Sequence, residues 1–462
     1  MTRNFLQMFF KGALIISAAS IIFAGCAKDG SDGLVGPAGA DGKDASETCK
    51  LCHNPSVVDS VATQFQLSKH EFGTAAEEEA GSIGCTPCHC QEAFKYVCKN
   101  NISTIYYQDS LTGPWKNPYN SIPTATYGKL GCFTCHSSLH TTYGYSDLTS
   151  LTTVAPVQMT MWGGTKTIDL TQDGGQSNLC VKCHQPRPVG ISGTYAGSNA
   201  LIPASLKGRW LDYPTLAANP TAVLYDTALA STVVQAVTPS YRTHIHYGAV
   251  GGVVAGKGGV EFGTGYTNSA HAIKASCQDC HMAPMTGAAG GHSFKAKGNF
   301  NGCNTSLCHT AAGSTTGTGT GIMTASHPEF TTVRNDIKTL IATLAGKLKE
   351  SGIEIMNKNP DATTNVWYGY TAGNYDGYLN VYDPINNPNG ITNNTTSFRF
   401  MGSTSSWSAT QKATNLTLPK LHLTNAQMGA IINFQFAVRE YSLGIHNYKY
   451  IKTLLTNSIA LL

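Results

Sequence analysis

Apolar residues along this chain fall into regular steps only near its two ends. Val333, Ile337, Leu340, Ile341, Leu344 and Leu348 recur every three or four residues, so Thr331 to Glu350 is predicted as an amphipathic helix. From Thr424 a second helical pattern begins, with Thr424 or Asn425 as cap and Met428, Ile431, Ile432, Phe434 and Val438 as buried positions. It is expected to run on, with a break at Gly444, through Tyr448, Ile451, Leu454 and Leu455. Between the two, residues 355–420 are rich in Asn, Gly, Thr and Tyr and carry the turn cluster P-I-N-N-P-N-G, which reads as a surface excursion.

The amino end has a different apolar pattern. An unbroken run from Ala13 to Ala24 follows Arg3 and Lys11 and closes on Gly25 and Cys26. It is short for a membrane span and is read as a lipoprotein signal peptide over residues 1–25, cleaved before Cys26, whose thiol then takes a lipid. A retained anchor helix is the alternative. Residues 26–46 follow, with Gly30, Gly33, Gly36, Gly39 and Gly42 at a three-residue period. So few triplets cannot sustain a collagen helix, and the stretch reads as a flexible tether.

The long middle shows no sustained period, and there cysteine takes over as the signal. The pattern Cys-x-x-Cys-His occurs at Cys49/Cys52/His53, Cys85/Cys88/His89, Cys132/Cys135/His136, Cys180/Cys183/His184 and Cys277/Cys280/His281, and a form with four intervening residues at Cys303/Cys308/His309. At this spacing two thiols add to the vinyl groups of one haem while the next imidazole reaches its iron. Zinc ribbons also use paired cysteines, but zinc gives no reason for a histidine after every second one. Six covalently bound c-type haems are therefore expected. They consume twelve of the fifteen cysteines, leaving Cys26, Cys90 and Cys98. In an oxidising compartment Cys90 and Cys98 could form a local disulfide or stay free.

Six motif histidines leave nine others: His70, His140, His244, His246, His271, His292, His327, His422 and His446. Neutral imidazole suits iron, and these supply a second axial ligand on the face opposite each motif histidine. His70, His140, His246, His271, His292 and His446 are the expected set. His327 is held in reserve, and His244 and His422 are read as structural. Met282 and Met285 are weaker candidates where histidines are so many.

Charged residues make up only 13% of the chain, about half the usual share, and Gly, Ser, Thr and Asn abound. The expected fold class is mainly α with extensive loops, a multihaem cytochrome c wrapped around a closely packed haem chain. Residues 47–310 would form the hexahaem region, and 311–462 a motif-free helical region that supplies a distal ligand. The net charge of +4 falls by two when Arg3 and Lys11 leave. Haem propionates would carry it to roughly −4 oxidised and about −10 reduced. No nucleic-acid partner is expected.

S-C-Q-D-C-H-M-A-P with the downstream G-G-H, and S-L-G-I-H-N-Y in the terminal region, resemble the multihaem c-type cytochromes related to the pentahaem ammonia-forming nitrite reductases and the octahaem reductases. The likeness covers roughly residues 240–310 and 425–460. It implies that His271, His292 and His446 are distal ligands, with His446 sent from the last long helix. The departure is that those nitrite reductases carry a lysine where the motif histidine of the catalytic haem would stand, and no Cys-x-x-Cys-Lys occurs here.

Two functions follow as expectations. The first is an electron carrier outside the cytoplasm whose six haems, mostly bis-histidine, pass electrons to other redox proteins, an external acceptor or copies of itself. The second is a reductase of nitrite, hydroxylamine or a related small oxyanion at one open haem. A lipid on Cys26 would hold the body at a membrane. Ala27 in place of an aspartate favours the outer membrane, facing either the periplasm or the cell surface.

Overall fold

The computed structural model describes residues 55–73, 79–80, 85–100, 107–108, 115–116, 128–136, 151–152, 154–162, 165–187, 189, 211–222, 245–310, 321–350, 354–356, 378–380, 408–417 and 423–462. The expected signal peptide over residues 1–25, Cys26, the expected tether over 26–46, His140, His244 and His422 lie outside them. So does the whole first motif: Cys49, Cys52 and His53. By its contacts the chain divides into Met1–Pro55 and Ser56–Leu462, and every described residue except Pro55 belongs to the second unit.

The described protein is mainly helical. In chain order the helices are α1 (Pro55–Gln66), α2 (Lys69–Phe72), α3 (Thr86–His89), α4 (Gln91–Lys99), α5 (Cys132–Cys135), α6 (Ser177–Cys183), α7 (Tyr213–Ala218), α8 (Val250–Val254), α9 (Ala270–Lys274), α10 (Cys277–His281), α11 (Pro328–Glu350), α12 (Ala409–Thr417), α13 (Asn425–Arg439) and α14 (Tyr448–Leu461). Among the described residues, sheet is confined to antiparallel two-stranded pairs: Tyr107–Gln108 with Trp115–Lys116, Val157–Gln158 with Thr167–Ile168, and Glu354–Met356 with Tyr378–Asn380. No described helix is long and apolar enough to cross a membrane.

The two helical patterns of the sequence become α11, α13 and α14, which pack on one another. Ile337, Ile341, Leu344 and Leu348 of α11 are buried against Met428, Ile431, Ile432 and Phe434 of α13 and Ile451, Leu454 and Leu455 of α14. Val333, Leu340 and Val438, on the flanks of those stripes, are half-buried. Thr424 caps α13 reciprocally. Its hydroxyl accepts from the Gln427 amide at 3.1 Å and its own amide donates to the Gln427 side chain at 2.9 Å. The helical pattern breaks from Glu440 to Asn447, around Gly444 at φ 89°, and that break carries His446.

The same core continues into the middle of the chain through Val157, Ile168, Ile245, Val260 and Phe262. Asn433, buried on α13, receives the Val260 amide at 2.7 Å and donates to the Val260 carbonyl at 2.8 Å and the Ser458 hydroxyl at 2.9 Å. Gly429 permits the contact: a Cβ there would come within 2.3 Å of the Phe262 ring. Most of residues 355–420 lie outside the described residues, but the parts that are described include a strand pair and α12, whose described side chains are exposed.

Candidate functional site

Each described Cys-x-x-Cys-His segment folds as a single tight turn. The amide of the motif histidine donates to the carbonyl of the first cysteine in three of them: His89 to Cys85 at 3.1 Å, His136 to Cys132 at 2.9 Å and His184 to Cys180 at 2.9 Å. The longer Cys303/Cys308/His309 segment closes identically, His309 to Cys303 at 3.0 Å. The extra residues loop outward, and Leu307 is exposed. Insertion therefore leaves the histidine in register with the first thiol. The expectation that Cys49 and Cys52 hold the first haem, with His53 on its iron, falls outside the described residues.

Every described motif histidine faces a histidine from outside the motifs, at nearly one distance. The ring centres are 6.1 Å apart for His184 and His70, 6.3 Å for His89 and His246, and 6.4 Å for His136 and His292. They are 6.2 Å apart both for His309 and His271 and for His281 and His446. That separation falls within the range of edge-to-face ring contacts and is also the one that two imidazoles sharing a metal require. Two metal–nitrogen bonds of about 2.0 Å, with about 1.15 Å from each nitrogen to its ring centre, span roughly 6.3 Å. A single metal between each pair fits.

Hydrogen bonds fix which nitrogen faces the partner. Nδ1 of His184 meets the Gly248 carbonyl at 3.1 Å, that of His271 the Ile445 carbonyl at 3.0 Å, that of His281 the Phe294 carbonyl at 2.8 Å, and that of His246 the Tyr247 carbonyl at 2.7 Å. A carbonyl only accepts, so each Nδ1 carries the proton and Nε2 keeps the lone pair. Nδ1 of His446 meets the Glu440 carboxylate at 2.6 Å.

For five of the paired histidines the surroundings favour the neutral ring. Burial, then the nearby His184 and His281, pushes His70 down to about 4. Desolvation likewise lowers His184, whose ring keeps accessible surface yet lies deep among protein atoms, and His281, His292 and His309. Neutral imidazole is the ligating form.

The histidines outside the motifs sit on short, well-anchored pieces. His70 lies on α2, capped by Ser68, whose hydroxyl accepts from the Glu71 amide. The His292 amide donates to Gln64 of α1 at 3.0 Å. Phe294 packs its ring 4.9 Å from His70 and 5.8 Å from His292 while its carbonyl holds His281. Asn447, fully buried, accepts from the Ser269 amide at 2.9 Å and donates to the Val253 carbonyl at 3.0 Å, joining the His446 turn to the segment before His271. Among the described residues, the non-glycine residues at positive φ are Phe294, Tyr441 and Leu443, all on histidine-bearing turns. Strained backbone concentrates where a side chain must be held to one direction.

The motifs also touch one another. Sγ of Cys88 lies 3.8 Å from the Lys182 carbonyl, and Sγ of Cys183 3.8 Å from the Cys88 carbonyl. The thiol of Cys180 is raised first by its neighbour Cys277, and the Ser177 hydroxyl accepts from the Cys277 amide at 3.0 Å. Cys135 lies within electrostatic reach of Cys180 and Cys183, and Cys280 within reach of Cys303 and Cys308. At Gly302 a Cβ would fall 2.0 Å from the Asp279 carbonyl, so only glycine lets the sixth motif lie on the fifth.

Some expectations change. Cys90 and Cys98 are free thiols, not a disulfide. Cys90 caps α4 and Cys98 lies near its other end, so eight residues of helical rise, about 12 Å, separate them, beyond the reach of a bridge. Cys90 is buried, its Sγ 3.2 Å from the Glu92 carboxylate. Burial pushes the Cys98 thiol up to about 12. His327 precedes α11, where its Nδ1 accepts from the Glu329 amide at 3.3 Å. Met282 ends α10 as its cap. Glu440, the carboxylate against His446, carried no signal in the sequence beyond its place a few residues before G-I-H-N.

Among the described residues no group of three or more His, Cys, Asp or Glu side chains gathers in a way that could hold a metal ion alone. A metal bound between two imidazoles must draw its remaining ligands from another source. Comparison with protein-family models, curated proteins and solved structures finds no match in any of the three.

Proposed function

We propose that this chain is a multihaem c-type cytochrome that carries electrons through six covalently attached haems, each closed by two histidines. The observation that carries the reading is the set of five facing pairs, each made of one motif histidine and one histidine from elsewhere, at 6.1–6.4 Å. A porphyrin supplies the four in-plane nitrogens that the protein does not, and its iron takes up and releases single electrons. The chain's own residues do the rest. The cysteine pairs would tether each group and the paired histidines would hold its iron, with Nδ1 hydrogen bonds fixing the rings of His184, His246, His271, His281 and His446.

The first haem would hang from Cys49 and Cys52. His53 follows those cysteines in the same motif pattern, and His140 is the one expected distal histidine the five pairs leave over. The contacts between motifs support an order for transfer. The fourth motif is a hub beside the second, third and fifth, and the sixth lies against the fifth. A reductase needs an iron with one open face; the five described pairs each present two imidazoles, which favours the carrier. The partners proposed are other redox proteins or an external acceptor, and further copies of this chain. The place proposed is an outer-membrane surface, through a lipid on Cys26.

The test is the intact mass and absorption spectrum of the chain produced with a cytochrome maturation system. Six haem increments surviving denaturation, with an intense Soret band, support the reading; an apoprotein mass without that band overturns it.

A further inference from the structure

The Glu440 carboxylate is held under His446 with unusual completeness. Its side chain is fully buried. One oxygen takes Nδ1 of His446 at 2.6 Å and the Ser442 hydroxyl at 2.5 Å, and the other takes the amides of Ser442 at 3.1 Å and Gly444 at 3.0 Å. Four donors converge on this one buried carboxylate, His446 among them, the arrangement that favours its charged form. The adjacent Arg439 is aimed elsewhere: it donates to the Ile245 carbonyl, and its guanidinium lies 4.1 Å over the Tyr247 ring. Tyr441 at φ 61° and Leu443 at φ 56° bend the chain so that both amides turn inward.

The other histidines of the facing pairs for which a hydrogen bond at Nδ1 is described, His184, His246, His271 and His281, all donate to neutral carbonyls. A carboxylate acceptor draws the Nδ1 proton further from its ring. The imidazole gains imidazolate character, becomes a stronger donor at Nε2 and favours the more positive iron. A buried negative charge close by opposes an added electron in the same sense.

Resting on the multihaem reading above, we propose that Glu440 is a positioning and tuning residue. It makes the centre between His281 and His446 the last of the described centres to be reduced, a low-potential step inside the chain. That centre lies between the sixth-motif and fourth-motif centres, so electrons crossing between them must climb over it. Glu440 thereby limits the rate of flow, in either direction, without touching the iron.

The pair has its own spectroscopic handle. The His281 and His446 planes are 13° from parallel, while the other described pairs are turned by 34° to 67°. Near-parallel imidazoles split the iron dπ orbitals and give a rhombic low-spin EPR signal; near-perpendicular ones leave those orbitals close in energy and give an axial signal. Of the five pairs this one gives the most rhombic signal, with His136 and His292 at 34° next, and a redox titration of the haem-loaded full chain followed by EPR tracks it once His446→Ala has identified the component that it removes.

The wild-type signal that His446→Ala removes should be the last to disappear on reduction. Glu440→Gln keeps the shape and removes the charge, and should lower the oxidised-to-reduced ratio at a fixed potential by about tenfold, a rise in midpoint of about 59 mV. Ser442→Ala removes a donor from the carboxylate, leaves it a stronger acceptor for His446, and should move the midpoint the opposite way. A purely structural role would move neither midpoint, or both in one direction, and either result overturns the proposal. If Glu440→Gln does not accumulate with its haems, Ser442→Ala decides alone. Absence of any low-spin haem signal from the wild-type protein would defeat the cofactor reading, a separate failure.

Discussion

His281 and His446, 165 positions apart in the sequence, face each other with ring centres 6.2 Å apart. They come from a motif turn and from the break between two terminal helices, so the packing of α13 and α14 sets the ligation of a centre attached elsewhere. His446→Ala should open one iron and leave the others closed. The reduced variant should bind carbon monoxide at about one equivalent per chain, while the wild-type protein binds essentially none.

Gly302→Ala tests the packing of the sixth motif on the fifth. The new methyl would collide with the Asp279 carbonyl, a backbone atom that cannot swing aside. Overpacking of this kind costs about 1–3 kcal/mol. The expected outcome is a lower melting temperature with partial loss of one haem on mass analysis; a fully loaded variant of unchanged stability would contradict the contact.

Helix α11 is pinned to α14 by Asp336, which receives the Tyr448 hydroxyl at 2.5 Å and lies 2.8 Å from Lys452. The Lys452 ammonium first, and the Tyr448 hydroxyl next, hold its carboxyl below the usual range. A carboxyl depressed in the folded state contributes stability above its unfolded value of about 3.9 and loses it as pH falls through the folded one. The site is partly exposed, so Asp336→Asn should cost only about 0.2–1 kcal/mol at pH 7. Thermal melts of both proteins should begin to converge as pH falls below about 4 and meet only at lower pH, below the depressed folded value.

The terminal helices were legible because their apolar residues keep the helical period and a capping pair marks the start of α13. The identities of the facing histidines were legible from the supply of imidazoles outside the motifs. Their partners were not, because nearness in sequence misleads. His271 sits just before the fifth motif yet faces His309 of the sixth; His292 follows the fifth yet faces His136; His70 lies between the first and second yet faces His184. Pairing is decided by tertiary packing, which no local pattern encodes. The Cys90/Cys98 spacing misled in another way, because an even count of leftover thiols says nothing about the helix that holds them apart.

Those two thiols give a chemical prediction. Denatured without reductant, the haem-loaded mature chain should take up two equivalents of alkylating agent, at Cys90 and Cys98. Uptake only after reduction would mean that they are bridged.

The central claim is that the irons are closed by paired histidines. Low-temperature EPR of the fully oxidised protein, with haem content measured on the same sample, tests it most directly. The account predicts low-spin signals summing to six haems, at least one rhombic and others axial, with no high-spin component. A high-spin signal near one haem equivalent or more in the wild-type protein would contradict it.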